Sequence, residues 1–181
     1  AVFRDPSAWY HCVFQYDSTQ STAEDGFKIY VNGTRITAWS TNTLTDYQQN
    51  YQGPWNSVAN TGVHIIGQSD AYFDGYLAEI HFVDGTALAA SDFGELDSNN
   101  VWVPKAFSGT YGTNGFKLNF SDNTNATTIA EDSSGNNNDW TANNITAAAA
   151  DNNWADYVYA GGSTYSSTET GTNYFTGAGT N

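Results

Sequence analysis

YFDGYLAEIHFVDGTALAASDF, from Tyr72 to Phe93, joins a run of strand-forming residues to a helical stop, and the rest of the chain is read outward from it. Asp74 and Gly75 suit a turn, and Tyr76 to Val83 is the strand-forming run. Asp84 and Gly85 end that run, and Thr86 to Phe93 suits one or two turns of helix. Leu77, Ile80 and Phe82 cannot keep a strict two-residue alternation. A bulge, or burial on both faces, is implied.

Upstream, Trp9 to Tyr16 reads WYHCVFQY, a strand with Tyr10, Cys12, Phe14 and Tyr16 on one face and Trp9, His11, Val13 and Gln15 on the other. The first of these faces is the expected core face. After a polar loop, Phe27 to Asn32 alternates again. Asn32 and Gly33 supply the positive φ angles of a type I′ hairpin turn, with the return through Arg35 to Ala38. From Trp39 to Gly62 no clean period exists, so long loops are expected there. Val63 to Gln68 is a short β-branched strand that leads into the central stretch.

Downstream, Val101 to Phe107 suits an edge strand broken by Pro104, and Gly115 to Phe120 alternates Phe116, Leu118 and Phe120 inward. The segment 141–181 is expected to be an irregular tail rich in Asn, Thr, Ala and Gly, behind a domain at 1–140. The four alanines at 147–150 are too few to specify a helix.

With 181 residues, the chain has the length of one generous domain. Only 5 basic residues stand against 19 acidic ones, a formal charge of −14, which disfavours a phosphate backbone or an anionic membrane surface as partner. No apolar run approaches the roughly 20 residues of a membrane helix. The single cysteine, Cys12, excludes an intrachain disulfide and is expected to be a buried, inert thiol.

Three pieces together resemble laminin G-like and pentraxin-like members of the concanavalin A-like lectin and glucanase superfamily. They are WYHCVFQYD (Trp9 to Asp17) with FKIYVNG (Phe27 to Gly33), HIIG (His64 to Gly67) with FDGYLAEIHF (Phe73 to Phe82), and ALAASDF (Ala87 to Phe93). GTYGTNGFKLNFSDN (Gly109 to Asn123) and DSSGNNNDWT (Asp132 to Thr141) resemble repeated modules in structural proteins of marine tailed bacteriophages. The fold so implied is all-β, a two-sheet antiparallel jelly-roll sandwich, incomplete or permuted at its N-terminus because the family places several strands before the one at Trp9. Two replacements for those strands are open. Either Gly115 to Phe120 followed by Asp132 to Asn138 acts as the opening strand, or a neighbouring segment or subunit closes the sheet edge. An open edge with Phe14 or Ile29 exposed would argue against both.

Family glycosidases carry carboxylates at alternate strand positions. The comparable strand here reads Glu79, Ile80, His81 and lacks the second carboxylate, so no catalytic residue is assigned. Calcium is the cofactor to consider, since Asp70 and Asp74 flank a turn, and Asp122, Asn123, Asn125, Asp132 and Asn136 lie in an Asn-rich loop. The alternative is that these residues cap turns. His11, His64 and His81 fall on strands, where neutral histidines commonly fill half-buried positions. Trp39, Tyr47, Tyr51 and Trp55 form a set of loop aromatics that could stack on sugar faces, the alternative being packing or a subunit contact. Sequons at Asn32, Asn119, Asn125 and Asn144 matter only in a eukaryotic secretory setting.

The resemblance implies a non-catalytic structural or adhesion module of a bacteriophage virion, a tail fibre or other appendage. Its expected partners are copies of itself, other virion proteins and a host-surface glycan, with no nucleic acid and no membrane insertion. The alternative is a secreted bacterial carbohydrate-binding or adhesin domain. A laminarinase-like enzyme would need carboxylates that are absent.

Overall fold

Asn32 and Gly33 take φ angles of 47° and 74°, the left-handed pair that a two-residue hairpin turn needs. They fold Phe27–Val31 back onto Thr34–Arg35, as their Asn-Gly sequence specifies. The computed structural model describes residues 3–38, 47–51, 64–68, 70–122, 124–143 and 145, together with the backbone of 158–159 and 174–177. Among them are β1 (Cys12–Tyr16), β2 (Phe27–Val31), β3 (Thr34–Arg35), β4 (His64–Ile66), β5 (Tyr76–Leu77) and β6 (Ile80–Phe82). There follow β7 (Gly94–Leu96), β8 (Trp102–Pro104), β9 (Phe116–Leu118), β10 (Thr141–Asn143), β11 (Val158–Tyr159) and β12 (Tyr174–Gly177). The described helices are short: one turn at Ala23–Gly26, capped by Thr22, and 3₁₀ turns at Ala90–Asp92 and Thr128–Ala130.

The described fold is therefore all-β, and every strand pair is antiparallel. The sheets are small, in the orders β1-β2-β3, β10-β12-β4, β11-β5, β6-β9 and β7-β8. The chain divides into two compact units, one made of Ala1–Gly53 and Thr86–Thr110, the other of Pro54–Gly85 and Tyr111–Asn181. The central stretch passes from the second unit into the first after Gly85, whose φ of 80° ends the strand as Asp-Gly predicts.

The break in period inside that stretch has a backbone cause. Glu79 adopts φ 48°, which interrupts the ladder between β5 and β6. The two halves then pair with different strands, β5 with β11 and β6 with β9.

In the first unit the expected core face of β1 is only partly covered: Tyr10 and Tyr16 are half-buried and Val31, opposite Cys12, is buried. Phe14 is 67% exposed and Cys12 is exposed, whereas His11, Val13 and Gln15 are half-buried. The indole N–H of Trp102 donates to His11 Nδ1 at 3.0 Å, and its ring lies where side chains on Gly33 and Gly94 would have to be, so the odd-numbered face of β1 is covered at His11. Cys12 is thus an exposed thiol, not a buried one. The exposure of Phe14 counts against both expected replacements: Phe116–Leu118 pairs with β6 rather than opening this sheet, and the Phe14 ring is left to solvent in the single chain.

The main core belongs to the second unit. Phe116, Leu118, Phe120, Ile129, Ala130 and Ile145 are buried together, with Ile66, Leu77, Ile80, Phe82, Trp140 and Ala142 packed around them. Leu118 and Phe120 are fully enclosed, as the alternation in GFKLNF predicts. Segment 141–181, expected to be irregular, instead contributes β10, β11 and β12, and β12 bridges β10 and β4. The alanines at 147–150 lie outside the described residues.

Replacing Leu118 by Ala is expected to cost about 2–5 kcal/mol, whereas Phe14→Ala should stay within about 0.5 kcal/mol because its ring is solvated. Urea unfolding of the two variants compares them directly; equal losses would place the core elsewhere.

Candidate functional site

In the second unit, the register of β6 with β9 sets His81 opposite Lys117. Glu79, turned by its left-handed backbone, reaches both side chains. Its Oε2 lies 3.2 Å from His81 Nε2 and 2.8 Å from Lys117 Nζ. His81 Nδ1 lies 2.7 Å from the Tyr111 hydroxyl, and the two rings stack 10° from parallel. Burial, reinforced by the charges of Glu79 and Asp132, pushes the Tyr111 hydroxyl up to about 12. Tyr111 is therefore a neutral hydrogen-bonding phenol near pH 7. The chain Tyr111–His81–Glu79–Lys117 can relay a hydrogen bond, but it sets an ammonium beside Glu79, where double displacement would need a second carboxylate.

Asp132 is the most buried charged residue described, at 9% exposure. Its Oδ1 accepts the backbone N–H groups of Lys117 and Ser134, and its Oδ2 accepts Ser134 Oγ–H and the N–H of Asn138. Ser133 N–H and Oγ–H meanwhile donate to the Lys117 carbonyl. The outward-facing N–H and C=O of Lys117, which a further strand would otherwise pair, are thus taken by this loop. Asn136 and Asn138 tie the same loop to the carbonyls of Gly112, Thr113 and Gly115. A Cβ at Gly115 would collide with the Tyr111 carbonyl, and Gly112, at φ 74°, faces that of Asp84. Gly109 to Asn123 and Asp132 to Thr141 are accordingly the stretches that contribute to the core and close the edge of β9.

The calcium ligands expected from sequence do not come together. Asp70 and Asp74 are exposed, and Asp122 Oδ1 accepts from the N–H and hydroxyl of Thr124. Among the described residues no group of three or more His, Cys, Asp or Glu could hold a metal ion. With four donors on its two oxygens, Asp132 does not suit calcium, and the turn-capping alternative describes Asp132 and Asp122. The histidines are dispersed too: His11 lies in the first unit, His64 on β4 with its Nε2 buried and without a partner, and His81 in the cluster above.

Of the four loop aromatics, Trp39 and Trp55 lie outside the described residues. Tyr47 is half-buried in the first unit, donating from its hydroxyl to the carbonyls of Asp17 and Gln20, with its ring over Gly26. That is a packing role. Tyr51 is 53% exposed, and its carbonyl accepts from the Tyr16 hydroxyl at 3.3 Å. Its ring is open to a ligand.

The first unit also presents Phe3, Trp9, Phe14, Leu96 and Val101, each more than half exposed. Phe14 and Cys12 alternate along one regular strand and both are exposed, while Val31, opposite Cys12 on the same face, is buried. Sequence reasoning missed this surface, and it missed the Tyr111–His81 stack. The Asp132-Ser133-Ser134 spacing does carry an Asx-turn signal that favours capping over metal binding. Comparisons with models of known families, with curated proteins and with solved structures find no match.

Asp132→Ala is expected to cost about 1.5–3 kcal/mol, because the N–H of Lys117 loses a charged acceptor in a half-buried site. A chelator should leave the urea midpoint of the parent chain unchanged. A second expectation concerns pH. Burial holds the His11 imidazole below the ordinary histidine range. Its contribution is therefore complete above about pH 6.5 and is lost as pH falls through the depressed folded value. Urea midpoints should decline on acidification below about pH 6.5, and less steeply in His11→Gln, which keeps an acceptor for Trp102. Identical pH slopes in the two proteins would remove His11 from the account.

Proposed function

We propose that this chain is a non-catalytic structural and adhesion module of a bacteriophage virion, a tail fibre or other appendage, that assembles with copies of itself and with other virion proteins. The observation that carries this reading is the pair of exposed apolar side chains on β1, Phe14 at 67% exposure and Cys12. A free-standing antiparallel sheet normally turns polar residues to water, and large apolar side chains left exposed on a regular strand mark an interaction surface. A charge of −14 on each copy disfavours nucleic acid as the partner and directs attention to uncharged surfaces such as this one. The concanavalin A-like jelly roll belongs to the same proposal, supported by the antiparallel pairing of every sheet. Binding of a host-surface glycan would use the open ring of Tyr51, with Trp39 and Trp55 included on sequence grounds alone.

The experiment is to ask where the chain is found. Antibody against it should label intact, gradient-purified particles, and mass spectrometry should find its peptides in them. Recovery only from particle-free culture fluid would overturn the virion reading in favour of a secreted adhesin.

A further inference from the structure

The outer edge of β1 is open in a way that the edge of β9 is not. Asn32 N–H donates to the His11 carbonyl at 2.8 Å and Asp17 N–H to the Gly26 carbonyl at 2.6 Å, so the odd-numbered residues of β1 aim their backbone groups at β2. By the alternation of an antiparallel ladder, Cys12 and Phe14 aim theirs away from it. Among the described residues, neither Cys12 nor Phe14 has a backbone hydrogen bond on that side, and β1 is the terminal strand of its sheet. The usual protections of an edge are missing as well. CVFQY holds no charge, no proline and no glycine, and it is paired to β2 without a bulge over five residues.

We propose that β1 is an assembly edge that pairs antiparallel with β1 of a second copy of this chain, about a two-fold axis at Phe14. This rests on the assembly reading above and deepens it by naming the contact. A second copy is the favoured occupant because the strand is complementary to itself. The charge of −14 on each copy opposes the contact, and Trp9 to Tyr16 limits that repulsion by holding no ionised side chain. With Phe14 opposite its mate, each Phe14 exchanges both backbone hydrogen bonds with the other, and Cys12 faces Tyr16 of the second copy. Val13 then faces Gln15, and His11 faces Asp17.

The last pair is matched in chemistry. Because Trp102 donates to His11 Nδ1, the proton of the neutral ring is on Nε2, which leaves a donor to meet the Asp17 carboxylate. Hydrogen bonds from Thr19 and Gln20 hold that carboxylate below the usual range, so it is ionised near neutral pH. Full overlap of β1 with its mate makes one continuous six-stranded sheet, β3-β2-β1-β1-β2-β3. It also brings the two exposed Phe14 rings together, removing both from water.

Sedimentation of the purified full chain, up to about 100 μM, tests this. The parent chain should form a reversible dimer, and Phe14→Lys, which adds a charge on the edge at a solvated position, should weaken that dimer by at least about tenfold. Leu96→Lys, equally exposed but off the edge, should leave it unchanged. Register is read by oxidation. With Phe14 on the axis, the two Cys12 residues lie about 13 Å apart along the ladder and do not cross-link, whereas Cys12→Ser combined with Phe14→Cys should give a disulfide-linked dimer. A dimer that persists in Phe14→Lys would overturn this edge while leaving self-assembly standing; a parent chain that stays monomeric throughout would overturn self-assembly itself.

Discussion

Every strand at the end of a sheet offers unpaired N–H and C=O groups, and how each edge is closed is the constraint on which this structure depends. On β9 the closure is chemical rather than architectural. The carboxylate of Asp132 takes the outward N–H of Lys117, and Ser133 takes its carbonyl. A loop thereby does the work of a strand, and it seals Leu118 and Phe120 beneath it. Asp139 accepts the N–H of Asp132 at 2.8 Å, and the Trp140 that follows packs its ring on Phe116, so loop and core hold each other in place. Among the described residues no such loop pairs with the outer edge of β1. The contrast is between an edge closed from within the chain and one left open.

That contrast also explains how much could be read in advance. Local signals survived intact: Asn32-Gly33 specifies its hairpin, Asp84-Gly85 its stop, and the alternation of Phe116, Leu118 and Phe120 its buried face. Each of these depends on neighbours within a few residues. The broken period at Tyr76 to Val83 was legible as a break, and its cause is the left-handed Glu79.

What could not be read depends on residues far away in sequence. Alternation in WYHCVFQY defines two faces equally well, and the partial burial of His11 comes from Trp102, 91 residues away. The candidate calcium loop looks like a donor set until its acceptors are matched to their partners, four of which converge on Asp132. Glu79 and His81 stand out in sequence as a failed catalytic pair. Only the pairing of β6 with β9 brings Lys117 to that pair, and Tyr111, 30 residues from His81, completes the chain. The glycan-site expectation divides the same way, since Tyr47 is drawn into packing and Tyr51 is left open.

The β1 edge, proposed as one half of an interface, is uncharged and, among the described residues, unpaired, while the chain as a whole carries a charge of −14. Amide hydrogen exchange measured across a range of protein concentrations tests this most directly. The amides of Lys117 and Leu118 should exchange slowly at every concentration, because their acceptors lie within the chain. Those of Cys12 and Phe14 should exchange rapidly when the protein is dilute and become protected as it is concentrated. Protection of Cys12 and Phe14 that does not change with concentration would contradict an edge left for a partner.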